Sequence, residues 1–205
     1  MNLLQGSLSD NMIEQLSQQV GGADKQQTAA AASGIVNTLM GALAKNAQDT
    51  EGAQALDNAL EQDHDGSILN DVIGMLSGQN DEVAQKERML NGSGILNHVL
   101  GNKQGGAIQM ISQLSGLDSS KTGSLMTMLA PVVMGALGKT KREQGLDMAG
   151  IASLLSGTVA QERANTGNPA IDIAMKFLDS DGDGSAVDDI ASMGMKMLGG
   201  LFGRK

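Results

Sequence analysis

The residues best equipped for chemistry lie between Phe177 and Ile190, where Asp179, Asp181, Asp183, Asp188 and Asp189 crowd five carboxylates around Gly182 and Gly184. Alternate acids ahead of a glycine are the first half of a calcium loop, which takes oxygen ligands at positions 1, 3 and 5, a glycine at 6 and a backbone carbonyl at 7. Asp179, Asp181 and Asp183 fill the first three places, Gly184 the sixth and Ser185 the seventh. Position 12 is Ile190, which cannot ligate, so Asp188 or Asp189 would close the shell from a shorter loop. The expected metal set is therefore Asp179, Asp181, Asp183, Ser185, Asp188 and Asp189, with calcium as the cofactor. The same residues also suit a helix start: Ser185 followed by Asp188 resembles a capping box, and acids favour the positive end of a helix dipole.

A fainter version precedes it by 118 residues: Glu61, Asp63, His64, Asp65, Gly66, Ser67, Asn70 and Asp71. Other chemistry is sparse. Gly135-Ala136-Leu137-Gly138-Lys139-Thr140 ends like a phosphate-binding loop, but Val133 stands where that pattern requires its first glycine. His64 and His98 are the two histidines, and no cysteine is present. Zinc hydrolysis and nucleophilic triads are disfavoured accordingly, and no enzyme is expected. His98 follows an apolar pair and is expected to be buried, whereas His64, within an acidic turn, is expected to face solvent.

The elements around these residues read as helices. Ser9-Asp10 caps a first one that carries Met12, Ile13, Leu16 and Val20 and stops at Gly21-Gly22. Asp24 opens a longer one to Lys45-Asn46, and Glu51 to Leu60 makes a third. Further helices are expected over residues 68–76 and 82–90, and Asn91-Gly92-Ser93-Gly94 leads into another at Ile95. Leu146, Ile151, Leu154 and Leu155 suggest one bounded by Gly145 and Gly157, and Asn165 to Asn168 reads as a linker before Pro169 starts the next. The last begins near Ser185 and carries Ile190, Met193, Met197, Leu198, Leu201 and Phe202. No stretch alternates as a strand would, so the fold class is all-α.

Two parts of the chain resemble each other. At a constant separation of 94 residues Gln19 matches Gln113, Gly22 matches Gly116, Asp24 matches Asp118 and Thr28 matches Thr122. Met40-Gly41-Ala42-Leu43 likewise matches Met134-Gly135-Ala136-Leu137. A helical bundle of two related units is expected, over residues 10–77 and 104–200, each with a DxDxDG-type acidic turn. The second unit would hold a helical insert at 141–164, and residues 165–205 would form a helix, the acidic turn and a helix.

Composition narrows the partners. The chain has 205 residues, 14 Met, 2 Phe and no Trp or Tyr, so its core is aliphatic and adaptable. Glycine reaches 28 while proline is 2, which places glycines at helix ends or at close helix contacts. A net charge of −9 and no Trp or Tyr to stack on bases argue against nucleic acid. No run approaches the roughly 18 apolar residues of a membrane span, and no secretion signal opens the chain, so a cytoplasmic location is expected.

Several segments are similar to a known family: Ala42 to Ala47, Glu51 to Leu56, Asp63 to Ser67, Gly94 to Gly101 and Leu129 to Gly138. On these the chain resembles the YidB-like family of bacterial proteins of unknown function over residues 1–140. The resemblance implies an all-helical bacterial protein and brings no catalytic residues. The function expected from duplication, glycine and methionine content is that of a non-enzymatic structural protein, a large or filamentous homo-oligomer. The alternative is a monomeric, calcium-responsive helical binding module.

Overall fold

The computed structural model describes residues 10–64 and 91–166, and every regular element among them is a helix. In chain order these are α1 (Asp10–Gln19), α2 (Lys25–Asn46), α3 (Thr50–Gln62), α4 (Gly92–Leu100), a 3-10 turn (Gly101–Lys103), α5 (Gln104–Ser115), α6 (Ser119–Gln144) and α7 (Met148–Thr166). The helices expected over 68–76 and 82–90, and those after residue 166, lie outside the described residues.

Aspartate chemistry sets the starts of the two long helices. Asp24 Oδ1 accepts from the backbone N–H of Gln26 at 2.9 Å and of Gln27 at 3.0 Å, while Thr28 Oγ1 donates to the Asp24 carbonyl at 2.8 Å. Asp118 does the same for α6, accepting from Ser120 at 2.8 Å and Lys121 at 3.3 Å, with Thr122 Oγ1 donating to its carbonyl at 2.9 Å. An N-cap carboxylate satisfies amides that have no partner inside the helix. Just upstream, Gly22 (φ 69°) and Gly116 (φ 72°) adopt the left-handed conformation that turns the chain out of the preceding helix. The serines in those last turns act alike: Ser17 donates to the Ala23 carbonyl and Ser112 to that of Leu117.

Two helices form the centre. α2 packs against α1, α4, α5, α6 and α7, and α6 against α2, α3, α4 and α5. Residues Thr38 to Ala44 of α2 are all buried, as are Leu129 to Gly135 of α6, so each helix is enclosed on every side over seven residues. A helix apolar all round belongs in such a position. The matching Met-Gly-Ala-Leu segments fall in or against these enclosed stretches. Thr38 is the polar exception, with its Oγ1 unpartnered in the aliphatic core.

Proline and glycine meet at one contact between α4 and α6. Pro131 lies inside α6 and has no N–H, which deprives the Thr127 carbonyl of its donor one turn on. Gly92, at the start of α4, covers that carbonyl so closely that a Cβ there would lie 1.9 Å from the oxygen. At the other end of α4, Asn46 Nδ2 donates to the Val99 carbonyl at 3.1 Å, tying it to the end of α2.

Three boundaries differ from expectation. α4 begins at Gly92, because the Asn91 side chain accepts from Gly94 N–H at 2.9 Å and caps it, so the two glycines lie within the first turn. α7 continues through Gly157 to Thr166 and takes in the start of the expected linker. One glycine costs a helix about 1 kcal/mol, too little to end it without a turn. Gly145 does end α6, with φ at 62° and its N–H on the Arg142 carbonyl. Ile151 and Leu155 of α7, 2% and 0% exposed, belong to the shared core.

Candidate functional site

The densest charged contact among the described residues that were read from the sequence joins α3 to α6. Asp57 and Glu61 lie one turn apart on α3, beside the stripe of Ala53, Leu56 and Leu60 that buries it. On α6, Lys141 falls on the buried stripe of Ala130, Met134 and Leu137, and its side chain is only 10% exposed. Its Nζ approaches Asp57 Oδ1 at 2.7 Å and donates to Glu61 Oε1 at 2.8 Å. The Asp57 contact is an ion pair too oblique for a full hydrogen bond.

Burial alone would weaken the charge on Lys141, but Asp57 and then Glu61 outweigh it and hold its pKa above the ordinary lysine value. A protonated, doubly paired ammonium has no lone pair to offer. The triad therefore works as a clamp that seats α3 on α6, and supplies neither base nor nucleophile.

The two histidines exchange their expected places. His98 is exposed on α4, because the buried stripe runs through Leu96, Val99 and Leu100 and leaves it on the opposite arc. His64 is 4% exposed, with no partner at Nδ1. It continues the α3 stripe of 53, 56 and 60 by one further turn, beyond the helix end at Gln62. Burial lowers its pKa, and the neighbouring Asp63 charge only partly offsets this.

A pH effect follows from that depression. Between the folded and unfolded pKa the unfolded chain binds the extra proton, so His64 contributes stability above its unfolded value near 6.5 and loses it as pH falls below. Chemical denaturation at pH 7.5 and 5.0 is expected to show wild type weakening at the lower pH, and His64→Leu weakening less. Equal pH dependence in both proteins would show that this imidazole is not responsible.

Of the acidic positions expected to bind metal, Asp179, Asp181, Asp183, Ser185, Asp188 and Asp189 lie outside the described residues, as do Asp65, Asn70 and Asp71. Glu61 is engaged by Lys141, and Asp63 ends α3 with its N–H on the Ala59 carbonyl. Among the described residues no group of three or more His, Asp or Glu side chains is placed to hold a metal, and no helix is long and apolar enough to cross a membrane.

Lys141 was readable as more than a surface lysine. A cation on a buried stripe needs a counter-charge, and Asp57 with Glu61, four apart on another amphipathic helix, is such a pair. Nothing in the sequence joins the two elements across 80 residues, so the pairing itself required the fold.

Comparison with known proteins adds one match: a family model described as bacterial protein of unknown function (DUF937) covers residues 2–140. No curated protein and no solved structure matches the chain.

Proposed function

The chain belongs to this bacterial family of unknown function, and on that premise we propose that it is a non-enzymatic structural protein that self-associates into a large or filamentous homo-oligomer. The observation that supports the reading is the recurrence of one helix pair. α1 and α5 start 94 residues apart, as do α2 and α6, and the pairs share the left-handed glycine, the aspartate cap and the threonine bonded back to it. A helical unit copied within the chain offers two related surfaces. When one copy's first surface meets another's second, the contact is head to tail, and a rotation that fails to close yields an open array.

The turn at Asp179, Asp181, Asp183, Ser185, Asp188 and Asp189 enters this reading as a calcium site that tunes association, on the strength of its oxygen spacing before Gly184. Size-exclusion chromatography with light scattering, at rising protein concentration with calcium or chelator, tests it. The expected result is a mass that grows well beyond 21.1 kDa with concentration and responds to calcium. A constant monomer mass under all conditions rejects self-association, and calcium-dependent protease protection of such a monomer would favour a calcium-responsive binding module.

A further inference from the structure

We propose that the outer face of α7 is the docking strip for residues 185–202 of the same chain. α7 carries no Asp, Glu, Lys or Arg from Met148 to Gln161, although only one side of it is buried. Ile151 and Leu155 enter the core, while Met148, Ala149, Ser153, Ser156, Gly157 and Ala160 face outward. Met148 is 38% exposed, one of only two large hydrophobic side chains so exposed among the described residues. A helix face left in water ordinarily carries charge, as Lys139, Arg142 and Glu143 do at the end of α6. A long uncharged face of mostly small side chains suits a cover of large ones.

The chain holds a matching segment. Ile190, Met193, Met197 and Leu201 recur at the spacing of one helical face, all large and unbranched at the tip or flexible enough to enter shallow gaps. The tether favours the same chain over a second copy. Residues 167–205 follow directly from α7, and 23 residues separate Thr166 from Ile190. Extended, they reach roughly 75 Å at about 3.3 Å per residue, against roughly 28 Å for α7 itself. A tether of that reach keeps the segment at an effective concentration on the order of millimolar, above that of another molecule in dilute solution. This inference does not depend on self-association.

The absence of cysteine makes the test clean. In the full chain, Ser156→Cys with Met197→Cys is treated with a short bismaleimide and compared with Gln18→Cys with Met197→Cys, whose partner is exposed on α1. The expected product is an internal cross-link at monomer mass, at least about tenfold more abundant for the α7 pair, as local tethering predicts. Equal yields, no link, or a link only between molecules overturns the proposal, the last assigning the face to a second copy. As a second readout, Ser153→Glu with Ala160→Glu alters only outward positions of α7. It is expected to raise trypsin cleavage after Lys196 by about tenfold, because cleavage tracks the undocked population. Cleavage as fast in wild type as in the variant also overturns it.

Discussion

Gly92→Ala is expected to destabilise the chain by roughly 3 kcal/mol, the upper part of the range for forcing an added methyl into packed structure. The added Cβ would lie 1.9 Å from the Thr127 carbonyl oxygen and 2.8 Å from its carbon, both backbone atoms of α6 that no rotamer change can move aside. Relief requires α4 to lift away from α6, which loosens Leu96, Val99 and Leu100 and uncovers the carbonyl that Pro131 leaves without a donor. Gly105→Ala is the control, since nothing lies within 4 Å of a Cβ there. It replaces a helical glycine and is expected to be neutral or to stabilise by up to about 1 kcal/mol. Urea denaturation of both variants decides the matter: similar stabilities would mean that the α4 contact adapts and the close approach is not needed.

Lys141→Ala is expected to cost roughly 2 to 3 kcal/mol, somewhat below the value for breaking a fully buried pair, because Glu61 is 62% exposed and can turn to water. Asp57, at 22% exposure, has less freedom and would be left with a poorly solvated charge. Lys141→Met with Asp57→Leu removes both charges and is expected to recover much of the loss, since apolar replacements of a buried pair are often neutral. The pH dependence has a definite sign. With the folded pKa of Lys141 raised, its stabilisation is complete below the unfolded value near 10.4 and declines as pH rises through the folded one. If Lys141→Ala melts like wild type between pH 7 and 9, the clamp contributes nothing and α3 is held by its apolar stripe alone.

Local chemistry explains why the helices could be read in advance. Asp24 and Asp118, each beside a glycine and four residues before a threonine, announce a cap within a few neighbouring positions, and the caps form there. The helix ends at Gly157 and Asn91-Gly92-Ser93-Gly94 were misread, because glycine ends a helix through its left-handed conformation, as Gly116 and Gly145 do, and not by its presence. The histidines were misplaced by attention to sequence neighbours in place of the helical stripe: counting from Leu60 reaches buried His64, and counting from Leu96 passes by His98. The α3 to α6 clamp and the Gly92 contact are long-range, and no periodicity within one helix encodes them.

The enclosed stretch of α2 has a bearing on how the polypeptide emerges during translation. Thr38 to Ala44 are complete early, yet the matching stretch of α6 that helps enclose them begins at Leu129, 85 residues after Ala44. At ribosomal rates of about 5 to 20 residues per second, that leaves roughly 4 to 17 s in which the nascent α2 lacks that cover. Newly made chains standing close together on one messenger could pair through it in that interval, before each closes on itself.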